Sequence, residues 1–178
     1  THLGHSFPTR RSSDLLTQGA QPIVSYNYGA KNLDRVKATI KLLIKCALSY
    51  TIVMTSILML FPETIVSIFN NTPELVEITV WSIRIYFVGT FVFGAQIACQ
   101  QSFLALGEAK SSLFLALLRK VVLLIPLIFI LPNFFEDKLF AVLLAEPIAD
   151  ITAVTITTIS FFIFYKKNLS NKTLKEIT

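Results

Sequence analysis

The chain has 178 residues, of which 53% are hydrophobic and only 15% charged, with a mean hydropathy of +0.64. A soluble domain usually carries about 25% charged residues. The deficit excludes an ordinary soluble enzyme, a disordered tail and a DNA-binding module. The net charge of +5 would suit nucleic acid, but the cations sit in short clusters between long uncharged runs, as membrane proteins distribute them. No nucleic-acid partner is expected.

The first segment, 1–15, reads THLGHSFPTRRSSDL. It is polar, without helical or strand periodicity, and lacks the apolar core of a signal peptide. The string PTRRSSDL resembles translated sequencing-adapter sequence, so 1–15 reads as a non-native segment. Its two histidines, His2 and His5, lack the further ligands a metal site needs. On this reading the chain is a C-terminal fragment of a longer protein. Residues 16–30 read as the end of a truncated span plus a loop, with Gln21-Pro22, Asn27 and Gly29 at the exit. Asp34 is the expected cap of the next helix.

A bilayer core of about 30 Å needs roughly 20 mainly apolar helical residues. Within the membrane region 31–165, four stretches qualify, at about 40–61, 83–106, 113–131 and 139–165. The first is preceded by Lys31, Arg35 and Lys37 and carries Lys41 and Lys45 in its first turns. The third must begin before Arg119, because the uncharged residues after Lys120 are too few to cross. Arg119 and Lys120 therefore snorkel to the interface or face the bundle interior. Pro126 should kink this span and Pro132 end it.

The loops alternate in sign. Glu63, Glu74 and Glu77 follow the first span; Lys110, Arg119 and Lys120 follow the second; Glu136 and Asp137, beside Lys138, follow the third; Lys166, Lys167, Lys172 and Lys175 lie in the tail, 166–178. Both ends of the four-span unit are thus expected in the cytoplasm.

Glu146 and Asp150 are the most informative acids. They are four residues apart and so share one helix face, deep in the fourth span. A deep acid costs ~2.5–3.5 kcal/mol to insert, while each large aliphatic or aromatic residue returns only ~0.3–0.6 kcal/mol. These two acids must therefore face water or a partner: as a proton or cation site, as a hydrogen-bonded or ion-paired motif with Arg84 as the candidate cation, or at the interface if the span is shifted. Pro147 between them favours a local irregularity. Gln96 and Gln100 share a face in the second span and either bond across the bundle or line a cavity. Cys46 and Cys99 lack CxxC spacing and read as packing residues. Asn70-Asn71-Thr72 fits a glycosylation sequon but carries no weight. No phosphate loop, metal cluster or nucleophile triad supports an enzyme.

Residues 18–37, QGAQPIVSYNYGAKNLDRVK, followed in order by Arg84-Ile85-Tyr86, Gln101-Ser102-Phe103, Leu106-Gly107-Glu108-Ala109-Lys110, Leu118-Arg119, Ile125-Pro126-Leu127 and Glu146-Pro147-Ile148-Ala149-Asp150, resemble the MATE family (multidrug and toxic-compound extrusion). The resemblance implies an all-α integral membrane fold in which the four spans are the ninth to twelfth of a twelve-helix transporter, from its second six-helix lobe. It implies a multi-pass exporter of drugs and organic cations in the bacterial plasma (inner) membrane, not an enzyme. It uses no cofactor beyond a coupling ion, sodium or proton. Its partners would be membrane lipid, small organic cations and the missing N-terminal lobe. The pathway candidates are Glu146, Asp150, Arg84, Gln96 and Gln100. Two alternatives stand beside it: a lipid-linked oligosaccharide flippase of related fold, and a truncated fragment without function.

Overall fold

A computed structural model describes residues 8–69 and 72–170. His2 and His5, the sequon asparagines Asn70 and Asn71, and the tail lysines Lys172 and Lys175 lie outside these. The described chain is helical: α1 (Pro8–Gly29), α2 (Leu33–Leu60), α3 (Pro62–Ser67), α4 (Pro73–Tyr86), α5 (Thr90–Ala105), α6 (Ala109–Leu117), α7 (Ile125–Ile130) and α8 (Lys138–Tyr165). Leu118–Leu124 is π-helical and joins α6 to α7, Leu131–Asn133 is a 3-10 turn, and Lys166–Ser170 continues α8 as π-helix.

Three helical runs are long and apolar enough to cross a membrane: Leu33–Leu60, Ala109–Asn133 and Lys138–Leu169. α4 and α5 make a fourth if read as one span broken by a 50° bend. This span is longer than the expected 83–106, because its first arm already begins at Pro73.

α1 passes through Pro22 and closes at Gly29. Its last turn is tied off by Asn32 N–H donating to the Asn27 carbonyl at 2.9 Å, and Lys31 takes a positive φ of 59° there. The segment expected to be non-native therefore enters α1 from Pro8 onward, and the loop narrows to residues 30–32. Asp34 is not the cap of α2: Asn32 occupies that position, without a side-chain bond, and Asp34 falls in the first turn, where its charge still favours the helix dipole.

α2 buries Leu33, Val36, Ile40, Leu43, Ala47, Thr51 and Thr55, a seam with steps of three and four that defines one helical face. Its opposite face leaves Leu42, Ile52 and Val53 exposed, as suits a helix against lipid. Burying apolar groups gains little where the solvent is hydrocarbon, so close backbone approach must supply the packing. Gly94 of α5 provides it: a Cβ there would lie 2.5 Å from the Ala47 carbonyl oxygen and 2.6 Å from Thr51 Oγ1. α5 is thus pressed against α2 on one side. On the other it meets α8, where Phe103 stands edge-on to Phe161 at 5.1 Å between ring centroids. Ser25 Oγ donates to the Ala105 carbonyl at 2.9 Å and ties α1 to the same helix.

α8 is capped by Asp137, whose Oδ1 accepts from the N–H groups of Leu139 (2.9 Å) and Phe140 (3.1 Å). Its alanines 141, 145, 149 and 153 are all buried. This four-residue repeat of small side chains allows neighbours to approach closely. Between α5 and α6 the chain turns at Gly107, with φ +87°, a backbone conformation that L side chains resist.

The third crossing does not break at Pro126. The wider π-helical turn precedes it instead, because proline has no N–H to offer the carbonyl four residues back and its ring crowds that carbonyl.

Candidate functional site: a buried charge cluster between two spans

The π-helical turn carries Arg119, which lies in the middle of the third crossing and is buried to 7% exposure. An extra residue in a turn rotates the positions around it relative to a regular helix, and here Arg119 faces inward while its neighbour Lys120 is half-exposed.

Across the groove, α8 presents Glu146 and Asp150, 5% and 2% exposed. The Arg119 guanidinium donates through Nε and Nη2 to the same oxygen, Asp150 Oδ1. Nη2 also reaches Glu146 Oε1 at 3.3 Å, and Lys120 Nζ reaches that oxygen at 3.3 Å from the open side. The guanidinium carbon Cζ lies over the Phe93 ring of α5, 4.3 Å from its centroid. Such a cation–π contact is worth about 2 kcal/mol or more once desolvated.

The cluster is formally neutral, with two cations against two carboxylates. An arginine suits this place because its planar fork can serve two acids at once and is more weakly hydrated than an ammonium. Removing one of the buried charges, Arg119 above all, leaves another buried without compensation, which is the costly state.

The bend between α4 and α5 abuts the cluster. A Cβ on Gly89 would lie 2.9 Å from Asp150 Cβ and 2.9 Å from Pro147 Cα. The absence of a side chain at 89 therefore lets the bent span settle on the turn of α8 that holds the acids. Three crossings meet around one guanidinium: the second through Phe93 and Gly89, the third through Arg119, the fourth through Glu146 and Asp150.

Of the sequence-predicted residues, Glu146 and Asp150 are brought together. The arginine set against them is Arg119 rather than the expected Arg84. Arg84 is exposed near the C-terminal end of α4 and lines a separate groove with Glu63, Glu77 and Trp81. Gln96 is buried at 1% exposure, and its Oε1 has no hydrogen-bond partner among the described residues; the same holds for Thr157 Oγ1. Gln100 is half-buried and contributes its backbone carbonyl to Ser112 Oγ at 3.2 Å. Neither glutamine belongs to the charge cluster. Cys46 and Cys99 are both free thiols. Among the described residues no three His, Cys, Asp or Glu side chains are grouped to hold a metal.

A sequence model of the MatE family matches residues 15–130. The chain belongs to the MatE family. The chain resembles the multidrug export protein MepA of Staphylococcus haemolyticus, 25% identical over 144 residues, covering 79% of this chain and 31% of that protein. Its structure superposes on that of the MATE multidrug transporter DinF-BH with a TM-score of 0.78 at 37% identity, covering 84% of this chain and 33% of the other. An inward-facing MATE transporter of the MOP superfamily shares the fold at 16% identity, with a TM-score of 0.77, covering 89% of this chain and 38% of the other. The chain thus spans about a third of the length of these relatives. As a MatE-family chain it is an all-helical membrane protein.

Proposed function

We propose that the protein to which this chain belongs is a multidrug exporter of the bacterial inner membrane. It would expel organic cations in exchange for inflowing sodium ions or protons. The observation that carries the reading is family membership over residues 15–130, in a chain whose helices carry a buried, internally neutralised charge cluster at membrane depth. A two-lobed transporter must rock its lobes as rigid bodies around a central cavity, so each lobe needs internal fasteners that survive the motion.

The Arg119–Glu146–Asp150 cluster serves as such a fastener. It binds the second, third and fourth crossings within one lobe, and its acids are occupied by cations of the same lobe rather than open to a transported ion. The coupling ion is accordingly assigned to acids elsewhere in the full protein, and the substrate to the cavity between this lobe and its partner lobe. A flippase for an anionic lipid-linked sugar would call for cations free to meet the substrate. Arg119 is instead committed to two carboxylates, which favours the drug reading.

The test is accumulation of a fluorescent organic-cation dye in an efflux-deficient bacterium expressing the full-length gene. Expression should lower dye accumulation, and collapse of the proton or sodium gradient should abolish the effect. Unchanged accumulation with normal membrane abundance would refute the reading.

A further inference from the structure

Where α6 begins and α8 ends, two concavities of about 780 and 400 Å3 adjoin and share Ile163 and Lys167. Both elements are here at the ends of crossings, Ala109 at the start of the third and Leu169 at the close of the fourth. The concavities therefore lie at a membrane–water boundary whichever way the chain is oriented.

Their walls are graded in polarity. At the water end stand Lys110, Lys166 and Lys167, with Ser111 and Asn168 as hydrogen-bonding groups. One carboxylate, Glu108, is also present and accepts from Ser111 Oγ at 3.3 Å. Three cations against one anion leave the mouth positive, and the N-terminus of the nine-residue α6 adds its dipole to the same end. Towards the membrane the wall turns apolar. Phe114, Phe162 and Ile163 are 64%, 67% and 62% exposed, an expensive arrangement in water and an ordinary one against acyl chains.

We infer that this groove is a binding site for an anionic phospholipid, with the phosphate held by Lys110 and Lys167 and an acyl chain lying along Phe114 and Ile163. Charge and polarity select this occupant. A zwitterionic lipid would gain little from the excess cations, and a soluble phosphate would gain nothing from the apolar wall. Basic pockets between crossing helices at the membrane surface are a recurrent means of holding such headgroups.

The experiment uses the purified full-length protein in nanodiscs of phosphatidylglycerol mixed with phosphatidylcholine, with retained lipid counted by native mass spectrometry. The wild type should retain phosphatidylglycerol in preference. Lys110→Gln and Lys167→Gln should each weaken that preference about fivefold, the worth of one lysine near an anionic surface, whereas Glu108→Gln should strengthen it. Inorganic phosphate at millimolar concentration should not compete. Equal retention by the wild type and the double lysine variant would overturn the site, as would competition by free phosphate. A benzophenone side chain placed at position 114 distinguishes the remaining occupant. Cross-linking to lipid supports the assignment, and cross-linking to another stretch of the polypeptide refutes it. All these substitutions lie at exposed or half-exposed positions outside the charge cluster, so failure here leaves the export reading intact, and failure of export leaves the lipid count readable.

Discussion

Arg119 and Asp150 are 31 residues apart in the chain, on two different crossings, yet two nitrogens of the guanidinium bond one carboxylate oxygen in the buried interior. The partners sit on the third and fourth helical runs, and the second closes over them through Phe93.

Gly94, Gly89 and Gly19 should respond in order of the space they leave. Gly94→Ala drives a Cβ to 2.5 Å from a backbone oxygen of α2 and 2.6 Å from Thr51 Oγ1. Overpacking of this kind costs about 1–3 kcal/mol, occasionally more. Gly89→Ala, at 2.9 Å from Asp150 Cβ and Pro147 Cα, should be less severe. Gly19→Ala, with nothing within 4 Å, should be neutral or slightly stabilising, since alanine is the better helix former. Thermal inactivation of detergent-solubilised, fluorescently tagged protein reads the ranking directly.

Gly107 should be intolerant for another reason. No atom crowds it, but its φ is +87°. Gly107→Ala therefore costs roughly 1–2 kcal/mol in backbone strain alone, and Gly107→Asn should cost less, because asparagine accepts positive φ more readily. Equal stability of the two variants would show that this turn does not hold the conformation described.

Lys120 and Arg119 are neighbours of equal charge that both touch Glu146, yet their removal should differ sharply. The Lys120 side chain is 48% exposed and its bond to Glu146 is 3.3 Å, so Lys120→Gln should cost no more than about 1 kcal/mol and diminish with added salt. Arg119→Gln strips the buried acids of their guanidinium and should sharply reduce the amount of protein recovered from membranes at any salt concentration. Quantitative blotting of membrane fractions, with melting in low and high salt, compares the two.

Much of this site was legible in the sequence. The four-residue spacing of Glu146 and Asp150, set in an otherwise apolar stretch, demanded a partner. Arg119 was recognisable as a cation at membrane depth, because the residues after Lys120 could not cross alone. What failed was the pairing of the two facts. Burial decides the partner: two acids that cannot face lipid need a cation that cannot face it either, and Arg119 is buried where Arg84 is exposed. The π-helical turn that carries Arg119 has a trace in Pro126, whose missing N–H predicts an irregularity but not its form as a widened turn. The bend at Gly89 had no trace, since the uncharged run from Ile85 to Gly107 reads as one continuous helix. The groove between α6 and α8 was legible only as two lysine clusters far apart in the chain.

The membrane orientation gives a further expectation. Basic and acidic loops alternate, so a reporter inserted at Gly107 should read as cytoplasmic and one at Glu136 as external, in the full-length protein. The same side for both would mean that Ala109–Asn133 does not cross, and the cluster would then lose its place at membrane depth.

The most direct test of the account is a double-mutant cycle on Arg119 and Asp150 in the full-length protein, read as the melting of the purified protein. Asp150→Asn and Arg119→Met should each be strongly destabilising, by about 3–5 kcal/mol, because each leaves a buried charge uncompensated. The double variant keeps Glu146 paired with Lys120 and buries no orphaned charge, so it should recover more than half of the summed loss. Losses that simply add, or an Asp150→Asn protein as stable as the wild type, would contradict the claim that this pair fastens the lobe.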